Sequence, residues 1–410
     1  MTGNNLRSDF VRTQFPSLSL DFIFMDNAGG SQVLKSVADR INDYLINSNV
    51  QLGATYEVSK IATDRVNLAP KMVAEFINAD HSEIIIGPST TLLIRILALS
   101  LSQTFRPGDE IIVTNCDHEA NIGAWAELEK KGLIVRWWKI NRDSLLLEQA
   151  DLKNLMTERT KLVAVTHTSN ILGTINPIRE IASLVHSYGA LICVDGVAHA
   201  PHRLIDARET DVDFYAFSFY KVFGPHLAML YGKKELLLKM PGICHFFVEP
   251  DNIPYKFQPG SPNYELSYGL LGIKDYFDAL AEAHGFKGNS FRENAAFGYS
   301  MIAGYEEQLA GRVLNYLRSR QEIKIIGEIS ADRNIRVPTI SFIVKNRTSD
   351  SITLKIDESR IGIRYGDFYA RRLIDDLGLS KQNGVVRISL LHYNTPEEID
   401  KLINAFERIL

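Results

Sequence analysis

Two residues combine type and position in a way that could do chemistry. Lys221 stands in Ser218-Phe-Tyr-Lys221-Val-Phe-Gly-Pro225, at the end of an apolar run and just before Gly-Pro. A buried lysine loses its charge readily, and the neutral amine can form a Schiff base with an aldehyde. A strand-end lysine can also simply reach water. Asp195, in Cys193-Val-Asp195-Gly196, closes another apolar run 26 positions upstream. A carboxylate there points into the crevice where α/β sheets bind ligands; the plainer alternative is a turn or N-cap aspartate.

Three further motifs bear on these two. Gly87-Pro-Ser89-Thr90-Thr91 opens the amphipathic stretch Leu92 to Leu101. Backbone N–H groups and hydroxyls at such a start can cradle a phosphate, or serve only as a cap. His118, in Thr114-Asn-Cys-Asp-His118-Glu-Ala-Asn121, could stack on a flat ring or sit as a surface or capping histidine. Asn170, in Thr166-His-Thr-Ser-Asn170-Ile-Leu-Gly-Thr174, could bond a phenolic oxygen or be a left-handed turn residue. An Asp and a Lys on strand ends together suggest pyridoxal 5'-phosphate. The carboxylate would keep the pyridine nitrogen protonated, and the lysine would hold the aldehyde and shuttle protons.

These residues need a scaffold, and short apolar runs alternate with amphipathic stretches. Glu110–Thr114, Leu162–Thr166, Leu191–Val194, Phe214–Ser218 and Ala228–Tyr231 read as strands. Ala120–Lys131 and Ile178–Tyr188 read as helices, the latter stopped by Gly189. The alternation predicts βαβ units and a mostly parallel sheet covered on both faces. From Leu280 to Arg320 the chain reads mostly as helix. Thr339–Val344 and Gly384–Leu391 are strand-like, and Pro396–Leu410 is a closing helix with Thr395 and Glu398 as its capping box. The reading is a large α/β domain over residues 20–280 and a smaller α+β domain from residues 281–410, with residues 1–19 joining it.

The 410 residues bear a formal net charge of −4, are 45% hydrophobic and 23% charged. At roughly 100–200 residues per domain, that is two or three globular domains. It excludes a disordered chain, a collagen-like fibre and a coiled coil. The mild acidity gives no overall pull toward nucleic acid or anionic membrane. No apolar run reaches the roughly 18 residues of a membrane span, and no export signal is visible. Cys116, Cys193 and Cys244 form no CxxC pair, so no zinc site or other metal site is expected and a reducing, cytoplasmic setting is.

From Met25-Asp-Asn-Ala28 to Arg387-Ile-Ser-Leu-Leu-His-Tyr-Asn-Thr395, the order and spacing of these motifs resembles the fold-type I, class V aminotransferase family, and within it the cysteine desulfurases. The resemblance implies a seven-stranded, mostly parallel central sheet. It makes Lys221 the cofactor-binding lysine, Asp195 the partner of the pyridine nitrogen, His118 the ring-stacking histidine and Asn170 the neighbour of the ring hydroxyl. Thr90, Thr91 and Ser218 become phosphate ligands. Ser261, in Gly260-Ser-Pro-Asn263, resembles the site that reaches the phosphate of the other subunit, which implies a homodimer with shared active sites. Arg387, helped by Arg364, looks like the fork for a substrate α-carboxylate.

The departures matter as much. Desulfurases carry their nucleophilic cysteine in a loop patterned R-x-G-x-x-C-A. Here the stretch reads Arg364-Tyr-Gly-Asp-Phe-Tyr369-Ala370, and a tyrosine cannot accept sulfur. Tyr220 and Ala198 stand where histidine and glutamine are usual. Val194-Asp-Gly-Val-Ala-His-Ala-Pro-His202 and Tyr255-Lys-Phe-Gln-Pro259 resemble a desulfurase-like branch akin to C–S lyases and isopenicillin N epimerase-like enzymes. The expectation is an enzyme acting on an amino acid by C–S cleavage or a related β-elimination, with Tyr369 and Tyr220 as proton-relay or pocket residues. The alternatives are an aminotransferase or epimerase, a cofactor-binding protein with little turnover, or a sulfur-transfer scaffold whose partner supplies the thiol.

Overall fold

The computed structural model describes residues 6–410. Seven strands form the central sheet: β1 (Ile84–Gly87), β2 (Glu110–Thr114), β3 (Ile134–Trp138), β4 (Thr160–Thr166), β5 (Leu191–Asp195), β6 (Phe214–Ser218) and β7 (Ala228–Gly232). Their order is β1-β7-β6-β5-β4-β2-β3. The five strands from β6 to β3 run parallel, and β7 is antiparallel to both its neighbours.

The inner strands are mostly apolar because both faces are covered, while the edge strand β3 is partly exposed and carries Arg136. Alternate residues divide between two cores. Ile112, Val163, Val165, Ile192 and Val194 belong to one, Ile111, Val113, Leu162, Ala164 and Cys193 to the other. The first is closed by helices α1 (Lys35–Asn47), α2 (Glu57–Ile77), the later helix Ile178–His186 and beyond; the second by α3 (Thr90–Leu101) and α4 (Ala120–Ala126). Ala120–Lys131 is not one helix. It tightens to a 3₁₀ turn from Glu127, ending at Gly132 with φ 84°, where the chain turns into β3.

After α5 (Leu271–Ala283) and the long α6 (Phe291–Arg318) comes a second, antiparallel sheet. Its strands are β8 (Ile323–Ile326), β9 (Thr339–Val344), β10 (Arg364–Gly366) and β11 (Val385–Ser389), in the order β10-β11-β9-β8. α6, α7 (Ser349–Asp357) and α8 (Pro396–Ile409) share its core. Thr395 and Glu398 make the expected capping box. Of residues 1–19, expected to join the smaller domain, 1–5 lie outside the described residues, and 6–19 lie between the two parts: Phe15 packs edge-on against Phe223, Tyr276 and Tyr393. Among the described residues no helix is long and apolar enough to cross a membrane, and no group of three or more His, Cys, Asp or Glu is placed to hold a metal.

Candidate active site

The sheet register gathers the chemistry-bearing residues at one edge. Thr166 pairs with Asp195, and Asp195 with Ala216, so the carboxyl ends of β4, β5 and β6 lie side by side. Ala228 pairs with both Ser218 and Gly87, which draws the Gly87-Pro-Ser89 turn to the same edge. Ser89 caps α3 by accepting from the Leu92 N–H at 3.2 Å, and Thr90 Oγ1 meets Ser218 Oγ at 2.7 Å. The cavity between them has about 530 Å³ of empty space. Thr90, Thr91, His118, Asn170, Asp195, Ser218, Tyr220 and Lys221 all line it, eight of the twelve residues singled out in the sequence.

Burial sets the ionisation of the three central groups in different directions. Lys221, 6% exposed, makes no hydrogen bond to another described residue. Burial, then the nearby charge of Arg387, lowers its pKa to about 8 against the pull of Asp195. Burial raises Asp195 to about 6, tempered by the Val197 N–H donated to Oδ1 at 2.8 Å and by Lys221. His118 is lowered to about 4 by burial, then by Lys221 and Arg387. Its Nδ1 accepts the Ala120 N–H at 3.0 Å, so the neutral ring carries its proton on Nε2. Behind Asp195, Gly196 leaves room for Tyr215, whose ring a Cβ would meet at 2.1 Å; Tyr215 Oη is held 2.8 Å from His167 Nδ1.

Four of the singled-out residues lie off the cavity. Ser261 is exposed on the loop after Gln258. Tyr369 is 70% exposed at the cavity mouth, its ring 5.2 Å from that of His118. Arg364 and Arg387 are cross-strand partners on β10 and β11. Arg364 is exposed, 3.7 Å from Asp26. Arg387 is 2% exposed, bonds Asp26 Oδ1 at 2.9 Å and lies under the ring of Phe368. Asp26 and Phe368 were both within quoted motifs, but their roles come from the register between distant segments. Thr166, Thr168 and Val197 also line the cavity; they lie within quoted motifs but were given no role.

None of the three cysteines lines the cavity. Burial, then Asp117, pushes the Cys116 thiol up; burial, then Asp195, does the same to Cys193. Cys244 is half-buried and donates to the Tyr255 carbonyl.

Pyridoxal phosphate fits what these residues offer. An unpartnered buried amine suits an aldehyde, a buried carboxylate suits a pyridinium, and paired hydroxyls at the start of α3 suit a phosphate. The comparisons agree. The aminotransferase class-V family model matches residues 23–402. The aminotransferase-like protein FGM3 of Gibberella zeae is 44% identical over the full length of both chains. The cysteine desulfurase-like protein ustD of Aspergillus flavus is 33% identical over 99% of this chain and 91% of its own. The crystal structure of the cysteine desulfurase CsdA from Escherichia coli superposes with a TM-score of 0.84 at 26% identity, over 98% of each chain. A family match over nearly the whole sequence, with relatives aligned end to end, means that the chain belongs to the class V aminotransferases and is a pyridoxal phosphate-dependent enzyme of cysteine desulfurase-like fold.

Proposed function

We propose that this enzyme acts on an α-amino acid with a leaving group on Cβ, sulfur above all, and expels that group as a C–S lyase or related β-elimination. The observation that carries the reading is the occupant of the cavity mouth. Tyr369 stands there over His118, and all three thiols lie elsewhere. A persulfide route through an enzyme thiol at that mouth has no nucleophile.

Bound pyridoxal phosphate supplies an electron sink that allows heterolysis at Cα and then at Cβ. The rest falls to this chain. Lys221 would carry the cofactor aldehyde and, once the substrate amine takes its place, take the proton from Cα and deliver it to the sulfur leaving Cβ, so that a thiol departs and the remaining dehydroalanine hydrolyses to pyruvate and ammonia; an amine with pKa about 8 suits both transfers. Asp195 holds the pyridine nitrogen, neutral His118 lies against the ring, Asn170 serves the ring hydroxyl, and Thr90, Thr91 and Ser218 take the phosphate. Ser261 of a second copy completes that cradle, as the family resemblance implies, which makes the enzyme a homodimer. Arg387 and Arg364, facing each other across strands, bind the substrate carboxylate. Tyr369 shapes the mouth or relays a proton. Three free thiols suit a reducing, cytoplasmic setting.

The test has two parts. Borohydride should fix the cofactor to Lys221, and Lys221→Ala protein that still fixes it overturns the assignment. Holoenzyme given sulfur-substituted alanines should then release pyruvate and ammonia with no keto-acid acceptor. Dependence on an acceptor makes it an aminotransferase, inversion at Cα an epimerase, and no turnover with any amino acid a binding protein.

A further inference from the structure

The turn Gly366–Ala370 lies across Arg387. Phe368 lays its ring on the guanidinium, with 3.6 Å from Cζ to the ring centroid. Asp26 takes Nη2 at 2.9 Å, and the backbone carbonyl of Asn170 accepts from Nη1 at 3.1 Å. Nε is buried with no hydrogen-bond partner among the described residues. Phe368 thus occupies one face of the guanidinium, and Nη1 and Nη2 each already hold a partner.

The turn is strained between fixed ends. Its ends are fixed: Gly384, at φ 75°, leaves the space in which a Cβ would come within 2.1 Å of the Gly366 carbonyl, and Ala370 is buried. Just beyond, Arg372 forks onto Glu119 with two bonds of 3.0 Å. Between these anchors the turn closes on itself, the Ala370 N–H donating to the Asp367 carbonyl at 2.8 Å and the Tyr369 N–H to Asp367 Oδ1 at 3.1 Å, and two further backbone carbonyls tie it to other segments. Asn170 Nδ2 donates to that of Phe368 at 2.9 Å, and the Glu119 N–H to that of Tyr369 at 2.7 Å. Phe368 and Tyr369 are consecutive non-glycine residues at φ 51° and 61°, a left-handed conformation such residues hold only under constraint. The stack on Arg387 is part of that constraint.

We propose that Phe368 is an internal competitor for Arg387 and thereby a specificity-determining residue: its ring covers the guanidinium until a ligand carboxylate displaces it. Amino acids then open the site with their carboxylate, and amines lacking one gain nothing from opening it. This rests on the reading of Arg387 as the carboxylate-binding group. The apparent affinity for an amino acid is its intrinsic affinity multiplied by the uncovered fraction. A cation–π stack of ordinary strength attenuates it by about two- to thirty-fold.

The experiment uses holoenzyme, with L-alanine and L-alaninamide as probes titrated against the visible band of the cofactor. Phe368→Ala should bind L-alanine about two- to thirty-fold more tightly and L-alaninamide unchanged. Phe368→Trp, a stronger stacking ring, should bind L-alanine more weakly. Phenylglyoxal modification, read by peptide mass spectrometry, should reach Arg387 faster in Phe368→Ala than in wild type. If Phe368→Ala binds L-alanine equally or more weakly, or tightens both probes alike, the ring is a support or a bulk obstacle and the proposal falls. Arg387→Gln separates the two ideas. If it leaves the preference for L-alanine over L-alaninamide intact, the carboxylate role itself fails, and the competitor with it. If it abolishes the preference while Phe368→Ala does not tighten binding, only the competitor fails.

Discussion

Lys221 should titrate as an unusually acidic lysine, and its reactivity should show it. Its pKa of about 8, against 10.5 for an ordinary lysine, has burial as its first cause and the charge of Arg387 as its second. The shift is worth roughly 3 kcal/mol against the charged amine. At pH 7.5 about a quarter of the amine is neutral, against about one part in a thousand for an ordinary lysine, so capture of an aldehyde gains roughly two-hundred-fold. Cofactor-free protein would be reductively methylated with formaldehyde and cyanoborohydride from pH 6 to pH 11, and the Lys221 peptide quantified against that of exposed Lys60. Restricted access lowers the height of the Lys221 curve but leaves its midpoint where ionisation puts it. The midpoint should fall near pH 8. Removing the neighbouring positive charge with Arg387→Gln should raise it, and removing the negative charge with Asp195→Asn should lower it. Labelling of Lys221 that still climbs in parallel with Lys60 between pH 9 and pH 10 would refute the reasoning. So would a midpoint that ignores both substitutions.

Tyr369→Cys should make a persulfide from free cysteine that wild type does not make, detected by mass spectrometry after alkylation, because the substitution restores a thiol at the cavity mouth. Gly196→Ala should lower stability by about 1–3 kcal/mol and loosen cofactor retention, since the new Cβ overlaps the Tyr215 ring that His167 holds; a thermal melt with and without added cofactor measures both. Glu110 is fully buried, takes a forked bond from Arg136 and further bonds from Arg159 and Thr157, and its pKa is lowered to about 2. A depressed carboxylate stabilises above its unfolded pKa, so Glu110→Gln should cost roughly 3 kcal/mol near neutral pH. The gap from wild type should narrow as pH falls from about 4.5 toward about 2, read from melts at pH 7 and pH 3.5.

The cofactor side of the site was legible in the sequence because each of its residues sits at the end of a local signal. Val113, Val165, Val194 and Phe217 belong to apolar runs of strand length, and the residue after such a run in a parallel sheet faces the ligand crevice. The Ser89 cap likewise announces α3. Strands whose identity comes from their neighbours were not legible. β10 is three exposed or half-exposed residues, and only its bonding to β11 makes it a strand. β8 has the same origin on the other side of β9. Arg387 was placed on a strand from its sequence, yet its cover was not foreseen. Phe368 is a loop phenylalanine 19 positions earlier, and no spacing rule states that two such residues will stack.

That difference in legibility follows a physical division within the site. Lys221, Asp195, Thr166 and Ser218 project from the ends of a buried parallel sheet, whose register fixes them before any ligand arrives. Burial lowers the lysine, raises the aspartate and keeps His118 neutral at once, so a single cause prepares three groups for one planar, electron-withdrawing ligand. Arg364 and Arg387 instead project from the smaller sheet, one exposed and the other stacked under a turn that two backbone carbonyls tie to other segments. Fixed geometry suits a cofactor that stays, and an arginine that must be uncovered suits a substrate that comes and goes. Substitutions on the large sheet should therefore change cofactor retention and the rate of the chemical step together. Substitutions in Gly366–Ala370 should change which amino acids enter, with the cofactor undisturbed.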